Sequence, residues 1–323
     1  MCLKNKKNKA GTYSFVNENL CQNLLTLLDE LNNRTYTPKP SNCYVITDPA
    51  LREIYAAEFC DRIVQHFYMN QIENILEAEL VDGCSSCRKK KGSDYALSLL
   101  KKHITEVSEN GKRDCYFLKI DLSGYFMSID RHYVRFLFEK LIKEKYAGRY
   151  KKLLLFLTSV IFENNPSFNA KYKCGEKMRR MVPDRRKMKP DSMYGMAIGN
   201  LTSQAASNLN LCEFDKYVMI KLGLVRYIRY VDDIVIVSSD KNRLYSSLPY
   251  ISIFLEKANQ RISKKKTKVA TAYQGVPFLG KVSYPYGYQK ANKRVYARIY
   301  SKARELKISM GNILERTNSQ IGF

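Results

Sequence analysis

The sequence predicts an α+β fold in which an antiparallel sheet packs on helices. Two observations carry this prediction. Apolar, β-branched runs lie on both sides of residues 230–233, which is the pattern of a β-hairpin with a tight turn. Apolar residues also recur at helical spacing over residues 57–80 and again over 244–258. Strands and long helices are therefore expected in separate stretches of the chain.

The other elements follow from local patterns. In chain order we expect a helix at 16–31, a strand pair at 44–46 and 52–55, the long helix at 57–80, a basic loop at 82–93, a helix at 95–107 and a buried strand at 116–120. Next we expect helices from residue 128, a polar and basic surface insertion at 163–193, and a glycine-bearing turn at 195–199. The following helix should be capped by Thr202 or Ser203. After the hairpin come the helix at 244–258, a strand pair at 278–282 and a basic helix from about Lys290.

Composition bounds the class of protein. A chain of 323 residues can bury a large core in about two or three lobes. Its formal net charge of +24 predicts a polyanionic partner, and this magnitude favours nucleic acid over a small acidic substrate. The basic residues are spread along the chain, which disfavours a membrane surface. Nine cysteines without framework spacing fit a reducing cytoplasm, so we expect a cytoplasmic protein whose Cys84 and Cys87 are free thiols.

Three acidic residues are the strongest candidates for chemistry. Asp232 and Asp233 stand side by side in the predicted turn, and like charges at this spacing are unfavourable without a cation between them. Asp121 ends the buried strand at 116–120 and supplies a third carboxylate. Carboxylate oxygens suit Mg²⁺, and a pair of such ions serves phosphoryl displacement. An ordinary turn and an ordinary strand end are the alternatives for these acids taken singly.

Two further features accompany the acids. Gly195 and Gly199 precede a helix, and their freedom would permit close backbone approach to a bound nucleotide. Phe126 lies five residues after Asp121 and offers a flat, bulky group near the same site. A buried core position is the alternative for Phe126, and equally for Ile198 in the glycine turn.

The ordered set of motifs resembles the reverse transcriptases, over roughly residues 36–287. Asp121-Leu122-Ser123-Gly124-Tyr125-Phe126 resembles that family's motif A, and Tyr230-Val231-Asp232-Asp233 its motif C. Residues 276–281 are similar to its primer-grip turn, 57–66 to the finger helix of its bacterial members, and 86–92 to their basic finger loop. The resemblance implies a right-hand polymerase with fingers, palm and a short helical thumb. It places an N-terminal extension and fingers at 1–114, the palm at 115–275, and the primer grip and thumb at 276–323.

Within that family, residues 198–204 are similar to the variant typical of diversity-generating retroelements. Intron-encoded and retron enzymes usually carry Gln at the position of Ile198, where it would hydrogen-bond the incoming sugar. A site that does not require this partnered hydrogen bond discriminates less well. The resemblance therefore implies an error-prone enzyme that makes cDNA from a template-repeat RNA and misincorporates opposite template adenines. It also implies a small helical accessory protein as a partner.

The resemblance assigns roles residue by residue. It implies Asp121, Asp232 and Asp233 as catalytic residues that hold two Mg²⁺ ions, with Mn²⁺ as an alternative and Leu122 at the same metal site. It implies nucleotide binding by Arg52, Arg88, Phe126, Ile198, Gly199 and Lys266, and template or primer binding by Gln204, Phe278, Leu279 and Gly280. One departure stands out, because relatives often have Lys two residues before Arg52, where this chain has Ala50.

Two other functions are also compatible with these motifs. A bacterial or phage-defence reverse transcriptase can share the same palm. A basic RNA-binding scaffold with a vestigial palm is the alternative outside enzymes. Retention of all three acids disfavours that scaffold, because an inactive protein has no chemical need for clustered carboxylates.

Overall fold

The fold is taken from a computed structural model that describes residue 12 and residues 14–48 and 50–305. The helices are α1 (Leu20–Asn33), α2 (Phe59–Glu79), α3 (Ser93–Val107), α4 (Tyr125–Ser128), α5 (Arg131–Lys145), α6 (Lys151–Glu163), α7 (Glu176–Met181), α8 (Leu201–Asn210), α9 (Cys212–Lys216), α10 (Lys241–Lys257) and α11 (Lys293–Glu305). The strands are β1 (Asn42–Ile46), β2 (Arg52–Ala56), β3 (Tyr116–Asp121), β4 (Lys171–Tyr172), β5 (Tyr227–Tyr230), β6 (Asp233–Ser238), β7 (Lys268–Thr271), β8 (Val276–Phe278), β9 (Lys281–Ser283) and β10 (Gln289–Ala291). Single turns of π- or 3-10-helix occur at Ser14–Glu18, Asp184–Arg186, Tyr217–Lys221 and Ala272–Gln274.

The chain divides into two compact units, each made of two stretches. The first unit takes the chain up to Leu80 and then Gly124–Glu213. The second takes Val81–Ser123 and the chain from Phe214 onward. The predicted boundaries of fingers, palm and thumb stay predictions, and residues 1–11 and 306–323 of the predicted extension and thumb lie outside the described residues.

The second unit is built on a four-stranded antiparallel sheet with the strand order β5-β6-β3-β7. Phe117, Val235 and Val237 project from it into a core shared with Leu100 and Ile104 of α3. All four residues from Ile234 to Val237 are buried, so both faces of β6 are covered. Such double-sided burial explains why its sequence is a continuous apolar run and not an alternating one.

A second, three-stranded sheet with the order β10-β9-β8 belongs to the same unit. Val276 and Phe278 of β8 join the core beneath α3. The strand pair predicted at 278–282 is therefore present as β8 and β9. The helix predicted from about Lys290 is present as α11, which begins at Lys293 because Gln289–Ala291 pair with β9.

The first unit packs α2, α5, α6 and α8 around an aromatic core, beside the sheet β2-β1-β4. Tyr68 from α2 lies against Phe138 and Phe162, whose rings stack at 4.7 Å. Small residues fill α8, including Ala205, Ala206 and Ser207, which are all buried. Their size lets α8 approach its neighbouring helices closely.

Local predictions for this unit have mixed outcomes. The strand pair β1–β2 is antiparallel as expected, with Tyr44 opposite Ile54. The predicted cap at Thr202 or Ser203 is wrong, because α8 begins at Leu201 after extended Asn200 and both hydroxyl residues are buried inside the helix. The insertion at 163–193 is largely exposed, but it also supplies β4, which pairs in parallel with β1. In the part of the chain that the structure describes, no helix has the length and apolar content to cross a bilayer.

A buried histidine in the second unit gives a pH-dependent contribution to stability. Burial, reinforced by the charge of Arg226, lowers the pKa of His103 to about 4. The unfolded chain therefore binds this proton near pH 6.5 and the folded chain does not, so stability falls as the pH drops from about 7 towards 4. We expect urea unfolding at pH 5 to show a loss of about 2 kcal/mol relative to pH 7 that disappears in His103→Gln. An identical pH dependence in both proteins would show that this imidazole is not responsible.

Candidate active site

Three acids lie at one end of the two central strands of the four-stranded sheet, β3 and β6. Asp121 is the last residue of β3 and Asp233 is the first residue of β6, and the two are directly opposite in the antiparallel register. Directly opposite residues project from the same face, so the two carboxylates are neighbours. Asp232 lies in the turn between β5 and β6, and its backbone oxygen accepts a hydrogen bond from Leu122 N–H at 3.3 Å. Strand pairing therefore places Asp121 beside Asp233, and the backbone of Asp232 lies next to Leu122 in the same unit.

Two lysine ammonium groups lie on these carboxylates. Lys266 Nζ is 2.9 Å from both side-chain oxygens of Asp121. Lys119 Nζ is 3.2 Å from Asp233 Oδ2 and also donates to the backbone oxygen of Pro277 at 2.8 Å. Because Lys119 and Asp121 are two residues apart in β3, they project from the same face of the sheet. The site therefore already attracts positive charge.

The fold perturbs the pKa of Asp233. Burial raises its pKa to about 6, against the favourable charge of Lys119 and with a further upward contribution from Asp232 and Asp121. Its Oδ1 atom is buried and has no hydrogen-bond partner. A carboxylate oxygen left in this state is what a bound cation would satisfy.

The donor chemistry of the acidic group suits a divalent metal ion. Among the described residues, no three His, Cys, Asp or Glu side chains are arranged to hold an ion as they stand. The donor set nevertheless fits Mg²⁺, because it consists of carboxylate oxygens and includes the unpartnered Oδ1 of Asp233. The Lys266 side chain is 65% exposed, so its ammonium can leave Asp121 without breaking the core.

The turn that carries Asp232 rests on a buried ion pair. Arg229 and Asp215 are both fully buried, and their side chains form two hydrogen bonds of 2.7 and 2.6 Å. The same guanidinium donates to the backbone oxygen of Val231 at 3.2 Å. Val231 has a φ of +59°, a strained conformation for a β-branched residue. Arg229 thus stabilises Val231, the first residue of the turn, through this hydrogen bond.

The segment from Gly83 to Ser86 secures the same strand from the side. Arg229 N–H donates to Gly83 O at 2.9 Å, and Ser85 N–H donates to Arg229 O at 3.0 Å. Ser86 Oγ accepts from Val231 N–H at 3.2 Å. A Cβ atom on Gly83 would lie 2.2 Å from the backbone oxygen of Tyr227, so only glycine allows this approach.

The basic loop and the predicted primer grip belong to the same unit. Arg88 donates to the backbone oxygens of Val81 and Cys84 at 2.7 and 2.6 Å, so part of its guanidinium stabilises its own loop. Cys84 and Cys87 are not joined in a disulfide, and Cys84 Sγ accepts a hydrogen bond from Arg229 Nη2 at 3.3 Å. Phe278 is buried, and Leu279 and Gly280 form the turn after it with φ values of +45° and +82°. This turn is joined to the acids through Lys119, which contacts both Asp233 and Pro277.

The remaining predicted residues lie in the first unit. Arg52 begins β2, and Ile198 O accepts a hydrogen bond from Tyr55 N–H of that strand at 2.9 Å. A Cβ atom on Gly199 would lie 3.0 Å from Tyr55 O, so this glycine permits close packing against β2. Close approach of a nucleotide to Gly199 stays a prediction. Ile198 is only half-buried, which argues against a core position.

Two more of these residues are also accessible in part. Phe126 is half-buried on α4, edge-on to the buried ring of Tyr125 at 5.7 Å. Gln204 is half-buried on α8, whose other residues from Thr202 to Asn210 are buried. A polar side chain that stays accessible on an otherwise buried helix is available to bind a ligand.

The sequence profile of the reverse transcriptase (RNA-dependent DNA polymerase) family matches residues 38–282, which include all three acids. The chain belongs to the reverse transcriptase family. No curated protein is significantly similar to it in sequence.

Solved structures show the same fold at low identity. A C-terminally truncated apo telomerase from Candida tropicalis shares 13% identity with this reverse transcriptase at a TM-score of 0.56, over 82% of this chain and 59% of that one. Telomerase from Candida albicans, solved in complex with a fragment of telomeric RNA, shares 12% identity at a TM-score of 0.54, over 84% and 49%. The reverse transcriptase thus spans about half to three-fifths of these telomerases. The predicted α+β fold, with an antiparallel sheet packed on helices, is confirmed.

Three residues of this reverse transcriptase were missed from the sequence. Lys119 could have been found from the sequence, because it is two residues before Asp121 in a strand and therefore projects from the same face. Arg229 could also have been found, because a charged residue inside an apolar strand needs a buried partner of opposite charge. Asp215, which provides that partner, lies in a helical stretch with no distinguishing local pattern.

Proposed function

We propose that this reverse transcriptase is an RNA-directed DNA polymerase of a diversity-generating retroelement, which makes error-prone cDNA from a template-repeat RNA. The observation that carries the polymerase activity is the in-register pairing of Asp121 with Asp233, with Asp232 in the adjoining turn. The net charge of +24 supports a nucleic-acid partner. A structural neighbour solved with bound RNA agrees with that class of partner.

The proposed reaction is attack by a primer 3′-hydroxyl on the α-phosphorus of a deoxynucleoside triphosphate. A new phosphodiester bond forms, and pyrophosphate leaves. Asp121, Asp232 and Asp233, with Leu122 beside them, would hold two Mg²⁺ ions, or Mn²⁺ as an alternative. When bound, such ions lower the pKa of the hydroxyl and neutralise the leaving group.

The chain's other residues position the reactants in this proposal. Lys266 would turn from Asp121 and give a proton to the departing pyrophosphate. Arg52 and Arg88 would bind the triphosphate, since a planar guanidinium suits phosphate oxygens. Phe126 would occupy the space of a ribose 2′-hydroxyl and so favour deoxynucleotides. Template and primer would be held by Gln204 and by the turn formed by Phe278, Leu279 and Gly280.

The test of the activity is primer extension with the purified chain. We expect DNA synthesis on an RNA template that requires Mg²⁺ and deoxynucleotides, and that ribonucleotides do not support. We also propose a small helical accessory protein as a partner. If the chain makes no DNA either alone or with this accessory protein, it is not an active polymerase. A chain that binds RNA without any synthesis would instead be a binding scaffold.

The half-buried position of Ile198 leads to a prediction about fidelity. Ile198→Gln would restore a hydrogen bond to the incoming sugar, and one such bond contributes about 1.4 kcal/mol, or about tenfold in discrimination. We expect about tenfold fewer misincorporations opposite template adenine in sequenced cDNA. Ile198→Val serves as the matched control and should keep the wild-type error spectrum.

The fidelity measurement also separates the retroelement from the defence enzyme. A wild-type error spectrum without bias towards adenine would fit a bacterial defence reverse transcriptase and would reject the retroelement assignment. An unchanged spectrum in Ile198→Gln, with the bias present in the wild type, would reject only the role of Ile198.

A further inference from the structure

The hairpin formed by β9 and β10 ends in a rigid, aromatic tip. Its connection is Tyr284-Pro285-Tyr286-Gly287-Tyr288. Tyr284 N–H donates to Tyr288 O at 2.9 Å, and Gly287 N–H donates to Tyr284 O at 3.1 Å. Pro285 restricts its own φ, and Gly287 provides the left-handed residue, with a φ of +71°, that such a turn requires. The tip therefore holds its side chains in a defined arrangement.

The rings of this tip are supported on one side and open on the other. Tyr286 lies directly over Gly111, where a Cβ atom would be 2.4 Å from its ring, and edge-on to Tyr273 at 6.0 Å. Tyr288 lies 5.9 Å from the ring of Tyr284. Even so, 69% of Tyr286 and 59% of Tyr288 are exposed. Large aromatic surfaces that a fold keeps rigid and exposed mark an interaction site.

The charge around these rings is positive. Lys290 Nζ lies 5.1 Å from the centre of the Tyr284 ring, and Lys101 lies beside Gly287. From residue 257 to residue 304 the sequence contains thirteen Lys and Arg residues and no Asp or Glu. Two acids lie near this surface: Asp114 interacts electrostatically with Tyr273, and Glu109 is paired with Arg113 at 3.0 Å. The lysines beside Tyr284 and Gly287 therefore favour the approach of phosphate groups to the tip of the hairpin.

The tip is remote from the three acids within the same unit. Tyr273, which supports Tyr286, donates to the backbone oxygen of Arg113, three residues before β3 begins. Asp121 lies at the opposite end of β3. A strand rises about 3.3 Å per residue, so the two ends are roughly 17 Å apart.

We propose that Tyr273, Tyr284, Tyr286, Tyr288 and Lys290 form a tyrosine surface that binds single-stranded nucleic acid outside the polymerisation site. Bases stack on the exposed rings, and lysine ammonium groups contact the phosphates. This proposal deepens the proposed function, because it names a second place where the strand being copied, or the strand just made, is held. Stacking requires no particular base, so the surface binds without strong sequence preference.

The experiment measures binding of labelled oligonucleotides of about 12 nucleotides to the full chain, without Mg²⁺ or deoxynucleotides. We expect Tyr286→Ala/Tyr288→Ala to weaken binding at least tenfold, since each stacked base contributes about 1–3 kcal/mol. Tyr286→Phe/Tyr288→Phe should bind as the wild type does, because the ring is retained. The matched control is Tyr245→Ala/Tyr250→Ala, which removes two tyrosines of similar exposure from α10 and should leave binding unchanged.

The affinities for RNA and DNA probes of the same sequence are compared to identify which strand binds. Tighter binding of RNA identifies the template, and equal or tighter binding of DNA identifies the nascent cDNA. Crosslinking of a photoreactive uridine probe should map to residues 284–290 in the wild type. Unchanged affinity of the alanine pair for both probes, with crosslinks elsewhere, overturns the proposal. Because binding is measured without catalysis, the result does not depend on polymerase activity.

Discussion

Asn in place of both Asp232 and Asp233 is expected to reduce Mg²⁺-dependent primer extension at least about a thousandfold. Strand pairing places Asp121 opposite Asp233, and Asp232 lies in the adjoining turn. An amide cannot supply the negative charge that a divalent ion requires. Primer extension on an RNA template, measured under single-turnover conditions, checks this result.

The same variant should stay folded, which makes its loss of activity informative. Burial raises the pKa of Asp233 to about 6, so its charge at neutral pH is a cost to the folded state. We expect the free energy of unfolding at neutral pH not to fall, because the amide at position 233 removes this buried charge. Asp191→Asn, at an exposed position, serves as the control and should retain full activity. Extension at the wild-type rate by the double variant would refute the catalytic assignment of these acids.

Arg229→Met is expected to destabilise the protein by about 3–5 kcal/mol. Substitution removes the partner of Asp215 and leaves a carboxylate buried and unpaired. It also removes the donor to Val231 O that holds the strained turn next to Asp232. Denaturant unfolding measures the loss of stability. Primer extension, at a temperature where the variant is folded, measures the effect of the lost hydrogen bond to Val231 O.

A second substitution separates stability from positioning. Asp215→Asn combined with Arg229→Met removes the orphaned charge, while the amide oxygen can still accept from Tyr227 O–H. We expect the double variant to recover part of the lost stability, because a buried pair removed together costs less than one partner removed alone. Its extension rate should stay low, since Val231 O still lacks its donor. Full recovery of activity together with stability would show that Arg229 acts on folding alone.

Much of the site follows from chemistry that is local in the chain. The hairpin around Asp232 and Asp233 follows from β-branched runs on either side of a short polar turn, and Asp121 follows from the end of a buried strand. Helix ends are harder to predict, as at α8, because tertiary burial of Thr202 and Ser203 overrides their preference for capping positions. The exact start of α11, at Lys293, also depends on tertiary structure, since pairing with β9 draws Gln289–Ala291 into a sheet.

The sequence alone placed Asp121 at the end of a buried strand and Asp232 and Asp233 at the turn of a hairpin. Only the tertiary structure decided their neighbours: Lys266 on Asp121, Lys119 on Asp233, and the Arg229–Asp215 pair beneath the turn. The physical reason is the range of the interactions. Periodicity and turn chemistry act between residues close in the chain, whereas charge pairing and burial join residues up to 145 positions apart.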